Sequence, residues 1–153
     1  MDVSLNSPPD RLVLDTNTVL ALWMFRDPVL APLREAVEAG RLDLLTRPDA
    51  LEELRRVLAY RQFAQPTEAQ ENLLEDYRRR CTVLDSGLAA PPGLPRCRDL
   101  DDQKFFEIAI LGECRWLLSR DKALLRLGRH RRVRDGIRIL TPEAWQLTLG
   151  AGG

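Results

Sequence analysis

Four acidic residues stand at positions where folding could gather them: Asp15, Glu53, Asp102 and Asp121. Asp15 directly follows the apolar run Arg11-Leu12-Val13-Leu14. It therefore sits at the carboxyl end of a buried strand, caps the helix that follows, or does both. Asp121 comes two residues after Trp116-Leu117-Leu118-Ser119 and offers the same choice. Glu53 belongs to a helical stretch in which Ala50, Leu51, Leu54, Val57 and Leu58 form one apolar face. At about 100° per residue, Glu52 points away from that face and Glu53 lies on its edge. From there Glu53 can reach over the rim of a sheet or pair with Arg56. Asp102 falls within about 20° of the centre of the face set by Phe105, Phe106, Ile108 and Ala109, with Gln103, Lys104 and Glu107 on the other side. An inward-facing acid is costly to bury without a partner. Asp99 as N-cap with Asp102 in the first turn explains an acid at the helix start, but not its inward direction.

Carboxylates gathered in one place repel each other and call for cations. Hard oxygen ligands suit Mg²⁺ or Mn²⁺. Two such ions about 4 Å apart can clamp an in-line displacement at phosphorus, one activating the attacking water and the other stabilising the leaving 3′ oxygen. Other chemistries have little to work with. There is one histidine, His130, too few for a histidine-based metal site or a Ser-His-Asp triad. The three cysteines, Cys81, Cys97 and Cys114, share no CxxC spacing, which argues against zinc and a disulfide framework and fits a reducing cytoplasm.

Apolar residues make up 44% of the 153-residue chain and charged residues 30%, as in a globular domain with its own core. No apolar run approaches the roughly 18 residues of a membrane helix. The first residues lack the basic and apolar regions of a signal peptide, so the expected location is cytoplasmic, with no membrane partner. Formal net charge is zero, yet arginine outnumbers lysine 21 to 2. Arg78-Arg79-Arg80 is one arginine run, and the segment from Arg126 to Arg138 is another. Guanidinium groups suit phosphate contacts, and such runs are also ordinary solvated faces. Arg129, Arg131 and Arg132 are the candidates for RNA phosphate contacts.

The elements that must position these residues alternate between strand and helix. Strands are expected at 11–14, 42–46, 82–84, 116–119 and 137–140. Helices are expected from about Thr18, over 28–39, from Pro48 to about Gln62, over 67–80 with Thr67 and Gln70 as a capping box, over 101–111, over 121–127, and from Pro142. The Pro- and Gly-rich stretch 86–98 reads as the one long loop. Residues 1–10 read as a disordered lead-in, 11–148 as a single domain and 149–153 as a disordered tail. This pattern predicts a three-layer α/β/α domain on a central, mostly parallel sheet of about five strands. Ligands of such sheets sit at the carboxyl ends of the strands.

Four segments together resemble the PIN-domain family. Arg11-Leu12-Val13-Leu14-Asp15-Thr16-Asn17-Thr18 is similar to its opening motif, a hydrophobic strand followed by D-T-N/S. Leu51-Glu52-Glu53-Leu54-Arg55-Arg56-Val57-Leu58 resembles the second motif, with its functional Glu before the Leu. Asp99-Leu100-Asp101-Asp102-Gln103-Lys104-Phe105 resembles the third, D-x-D-D-x-K-F. Trp116-Leu117-Leu118-Ser119-Arg120-Asp121-Lys122-Ala123-Leu124-Leu125 resembles the fourth, in which Ala123 replaces a frequent second Asp. The closest group is the bacterial toxin components of toxin–antitoxin systems related to VapC. The resemblance implies a Mg²⁺- or Mn²⁺-dependent endoribonuclease with its acidic site at Asp15, Glu53, Asp102 and Asp121. Thr16 and Asn17 would assist by hydrogen bonding, Ser119 would orient the strand end, and Asp101 would be a neighbour. It also implies an RNA substrate, homodimers and a small antitoxin partner.

Competing readings fare worse. A haloacid-dehalogenase-type phosphatase needs an acid where Asn17 stands, and a receiver domain needs a Lys after 137–140. A flap-type DNA nuclease needs extra helical segments for which 153 residues leave little room. The remaining alternative is a catalytically inactive PIN-like module that binds RNA or protein, which would gain nothing from keeping all four acids.

Overall fold

The computed structural model describes residues 9–130, 133 and 136–152. Five strands form one parallel sheet: β1 (Asp10–Leu14), β2 (Leu42–Thr46), β3 (Cys81–Val83), β4 (Trp116–Leu118) and β5 (Arg138–Leu140), in the order β3-β2-β1-β4-β5. The helices are α1 (Thr16–Val19), α2 (Ala31–Glu38), α3 (Pro48–Leu58), α4 (Thr67–Arg80), α5 (Gln103–Leu111), α6 (Lys122–Leu127) and α7 (Pro142–Gly152). The expected three-layer α/β/α architecture is what forms.

Two apolar clusters explain the layering. Leu12 and Leu14 of β1 point to one face with Leu44, Trp116 and Leu118, under Leu20, Leu33, Leu54 and Trp145. Val13, Leu45 and Leu117 point to the other face, under Phe105, Phe106 and Ile108 of α5 and Leu124 of α6. Alternate residues of one strand thus fill opposite cores, which is why the strands read as unbroken apolar runs. The β1–β4 register pairs Leu14 with Leu118. The residues just beyond, Asp15 and Ser119, therefore emerge side by side.

Element ends differ from the sequence expectations for local reasons. The first helix begins at Thr16 rather than Thr18, because Asp15 caps it by accepting from the Thr18 N–H at 3.0 Å. It then widens into a π-helical turn over Leu20–Met24. The expected 28–39 helix splits into a 3₁₀ turn at Pro28–Leu30 and α2, whose first turn holds Pro32. α3 stops at Leu58, and a separate 3₁₀ turn spans Arg61–Phe63. Pro66, not Thr67, occupies the N-cap of α4, and Gln70 donates to the Gln65 carbonyl at 2.8 Å instead of closing a capping box. The helix expected from Asp101 starts as a 3₁₀ turn at Leu100–Asp102 and becomes α-helical at Gln103. At the chain ends, β1 already includes Asp10, and α7 runs to Gly152 through much of the expected tail. Residues 1–8 of the expected lead-in lie outside the described residues.

Phe106 is fully buried between α5 and the sheet, whereas Leu147 on α7 is 76% exposed. Phe106→Ala is expected to destabilise the fold by about 3–5 kcal/mol, and Leu147→Ala by no more than about 0.5 kcal/mol. Denaturant unfolding of both variants checks this, and equal midpoints would contradict the packing described.

Candidate metal centre

The carboxyl edge of the sheet opens into a cleft of about 390 Å³ lined by Asp15, Thr16, Asn17, Glu53, Asp101, Asp102, Lys104 and Asp121. All four acids singled out in the sequence line it, as do Thr16, Asn17 and Asp101. Asp15 projects from the end of β1 and is almost fully buried. Its Oδ1 caps α1, and its Oδ2 accepts from the Ser119 hydroxyl at 2.5 Å. Ser119, wholly buried, also accepts from the Asp121 backbone N–H at 2.8 Å. One hydroxyl thereby spaces the ends of β1 and β4.

Asp121 is indeed an N-cap: its Oδ1 accepts from the N–H groups of Ala123 at 2.8 Å and Leu124 at 3.4 Å. Its other oxygen takes no hydrogen bond among the described residues. The capping and ligand readings of Asp15 and Asp121 are therefore compatible, because a carboxylate has two oxygens.

Glu53 rises from α3 and is fixed from two sides. The Thr16 hydroxyl donates to its Oε2 at 2.5 Å, and Lys104 Nζ contacts its Oε1 at 2.7 Å. The anticipated Arg56 partner pairs with Glu52 instead, at 3.9 Å. Arg47, at the start of α3, ties that helix to α5 through Asp49 at 2.9 Å and Glu107 at 3.1 Å. This holds Glu53 at a set distance from the acids that precede α5.

Asp102 faces inward as its periodicity predicts, but from a 3₁₀ turn. Its Oδ2 is buried with no hydrogen-bond partner among the described residues. Burial raises its pKa from the ordinary 3.8 to about 7, and the charges of Asp121, Asp99, Asp15 and Glu53 add to the rise. Burial also raises Asp15, opposed by the hydrogen bonds from Ser119 and Thr18.

Two residues of the site were read differently from the sequence. The sequence marks Asp99 as a cap. It does cap, accepting from the Asp101 N–H at 3.0 Å, but it also brings an oxygen within 4.8 Å of oxygens of both Asp102 and Asp121. Its place in the D-x-D-D segment was the available signal. Lys104 was placed on the outer side of its helix. Its long side chain instead folds back between Glu53 and the Asp101 carbonyl, which it contacts at 2.5 Å. Asp101 itself is exposed and contributes this carbonyl. Arg129 is exposed beside Arg96, Arg98 and Arg126 in a separate depression. Arg131 and Arg132 lie outside the described residues.

The donor set fits a hard divalent cation. An orphaned, buried carboxylate oxygen lies among further carboxylate oxygens, and the nearby Lys104 is engaged by Glu53. Without a cation, Asp102 has a raised folded-state pKa. Its contribution to stability is full below about pH 4 and is lost as pH rises through about 7. Asp102→Asn should therefore melt above the wild type at about pH 8 in chelator, with the gap closing toward about pH 4. Added Mn²⁺ should reverse the order at about pH 8. Identical melting curves across that range would sink the account of the site.

Among solved structures, the fold is similar to PAE2754 from Pyrobaculum aerophilum, with a TM-score of 0.56 and 16% identity over 93% of this chain and 96% of that one. It is also similar to VapBC2 from Rickettsia felis bound to a DNA fragment from their promoter, with a TM-score of 0.51 and 14% identity over 84% of this chain and 96% of that one. Identities at this level establish shared fold. No curated protein matches the chain by sequence. The PIN domain family profile matches residues 11–123, a span that holds Asp15, Glu53, Asp99, Asp102 and Asp121. The chain belongs to the PIN-domain family.

Proposed function

We propose that the protein is a Mg²⁺- or Mn²⁺-dependent endoribonuclease, the toxin of a toxin–antitoxin pair acting in the cytoplasm. The observation that carries this reading is the unpartnered, buried Asp102 oxygen beside Asp99 and Asp121 at the carboxyl edge of a parallel sheet. Membership of the PIN-domain family supports a nuclease. The neighbouring Rickettsia felis structure is of VapBC2 on promoter DNA, which supports a small antitoxin partner for this chain. No helix among the described residues is long and apolar enough to cross a membrane. A homodimer is the expected assembly.

In this reading Asp15, Glu53, Asp102 and Asp121 hold the cation, with Asp99 as a further ligand. A bound divalent cation supplies an activated water and neutralises charge at the phosphorus. The chain's own residues set the geometry. Ser119 fixes the Asp15 carboxylate and the Asp121 backbone with one hydroxyl. Thr16 orients Glu53, and Lys104 offsets part of the negative charge at that end of the cleft. Asn17, exposed at the lip, can hydrogen-bond to substrate or water. Arg129 supplies phosphate contacts away from the acids, and Arg131 and Arg132 are further candidates by sequence.

Cleavage of total RNA is expected to require Mg²⁺ or Mn²⁺ and to vanish in Asp15→Asn. Ser119→Ala, which removes only an orienting group, should lower activity or Mn²⁺ affinity about 10–100-fold. Arg129→Ala should weaken RNA binding and reduce its salt slope by about one. Absence of cleavage together with absence of Mn²⁺ binding would move the assignment to a non-catalytic RNA- or protein-binding module.

A further inference from the structure

We propose that Tyr60, backed by Phe63, is a stacking platform for one unpaired base of a single-stranded RNA, placed beside the acidic cleft. This deepens the nuclease reading and rests on it. Tyr60 lines the same cleft as Asp15, Asp102 and Asp121, yet the residue is 48% exposed. Its ring stacks on Phe63 with centroids 6.1 Å apart and planes 13° apart. Phe63 is packed against the core and meets Phe25 edge-on at 5.7 Å. A half-exposed ring braced in an offset, near-parallel arrangement by a supported neighbour leaves a face for a planar guest.

The backbone explains why the two rings are neighbours. Tyr60 is the N-cap of the 3₁₀ turn Arg61–Phe63, and in such a turn side chains three apart eclipse. The turn closes at Ala64 in the left-handed region, with φ 49° and ψ 38°. A residue with a β-carbon is held in that region only where its surroundings over-determine it. The turn therefore fixes both rings at the end of α3, two turns beyond Glu53.

The occupant follows from what shares the wall. Arg56 lines the same cleft and lies between Glu53 and Tyr60 along the chain; its side chain is 61% exposed, with a long contact to Glu52 at 3.9 Å. An aromatic face, a guanidinium and a carboxylate centre in sequence match a base, its phosphate and a scissile phosphate in sequence. A base inside a duplex is already covered on both faces, so the guest must be unpaired. Stacking of this kind tolerates any base, so the platform selects for single-strandedness rather than sequence.

The test uses the full chain and a short single-stranded RNA carrying a fluorescent purine analogue at successive positions, bound to the Asp15→Asn protein. At one position the analogue should be quenched on binding. Tyr60→Ala should abolish that quench, and Tyr60→Phe should retain it. In the active protein, Tyr60→Ala should raise KM about tenfold with a smaller change in kcat. An abasic residue at the quenched position should reproduce the loss with wild-type protein, independently of any effect of mutation on folding. Unchanged KM and a retained quench in Tyr60→Ala would overturn the proposal while leaving cleavage intact, and would assign the aromatic step to a protein partner. Wild-type protein that neither cleaves nor binds single-stranded RNA would overturn the nuclease reading itself.

Discussion

Mutual repulsion among carboxylates is the constraint around which this molecule is arranged. A parallel sheet sends every strand's carboxyl end to the same edge, and this chain places an acid or its support at two of those ends, Asp15 and Ser119. Asp99 and Asp102 enter from the turn before α5, and Glu53 from α3. Burial at this edge raises Asp102 to about 7, with the neighbouring carboxylates adding to the rise, and burial raises Asp15 as well. Such crowding survives only if the scaffold is rigid. The two apolar cores on either side of β1 supply that rigidity, and so does the Arg47 bridge between α3 and α5.

Economy of groups is the second theme. Asp15, Asp99 and Asp121 each satisfy backbone N–H groups at the start of a helix or turn; Asp15 and Asp121 also line the cleft, and Asp99 brings an oxygen near those of Asp102 and Asp121. Local folding and the site thus ask for the same residue type at the same place, so the acids are not isolated conflicts with the fold. Asparagine can still accept the capping hydrogen bond, while alanine cannot. Loss of charge and loss of a cap are therefore separable effects at these positions.

Much of this was legible in the sequence. The runs at Leu12–Leu14, Leu44–Leu45 and Trp116–Leu118 mark buried strands because parallel strands covered on both faces lose the polar alternation of exposed ones. The inward direction of Asp102 survived the change from α-helix to 3₁₀ turn, since the apolar face of α5 is close in space either way. Lys104 was misplaced because an angle count gives the direction of Cβ, and a lysine stem is long enough to turn back. Asp99 was undervalued because a loop has no period from which to infer a facing. Tyr60 and Phe63 lie past the end of α3, where the helical period continued too far and hid a separate turn. The capping box at Thr67 failed because Pro66 took the cap position and Gln70 found the Gln65 carbonyl.

One tether near the site bears on how such a chain can vary. The Gln103 side chain accepts from the Cys97 N–H at 2.6 Å and donates to the Pro95 carbonyl at 3.4 Å. It thereby fastens the last residues of the long Pro- and Gly-rich loop to the first residue of α5. Everything downstream, including Asp99 and Asp102, is anchored from the helix rather than from β3. The stretch from Ser86 to Pro92 lies mostly at the surface on the far side of that tether, with Gly87 and Leu88 turned back onto Asp85. Insertions or deletions there are accommodated at the surface, where closing a longer loop adds only about 0.6 kcal/mol per doubling. This is the segment through which the protein can acquire new surface contacts without re-aiming a single carboxylate.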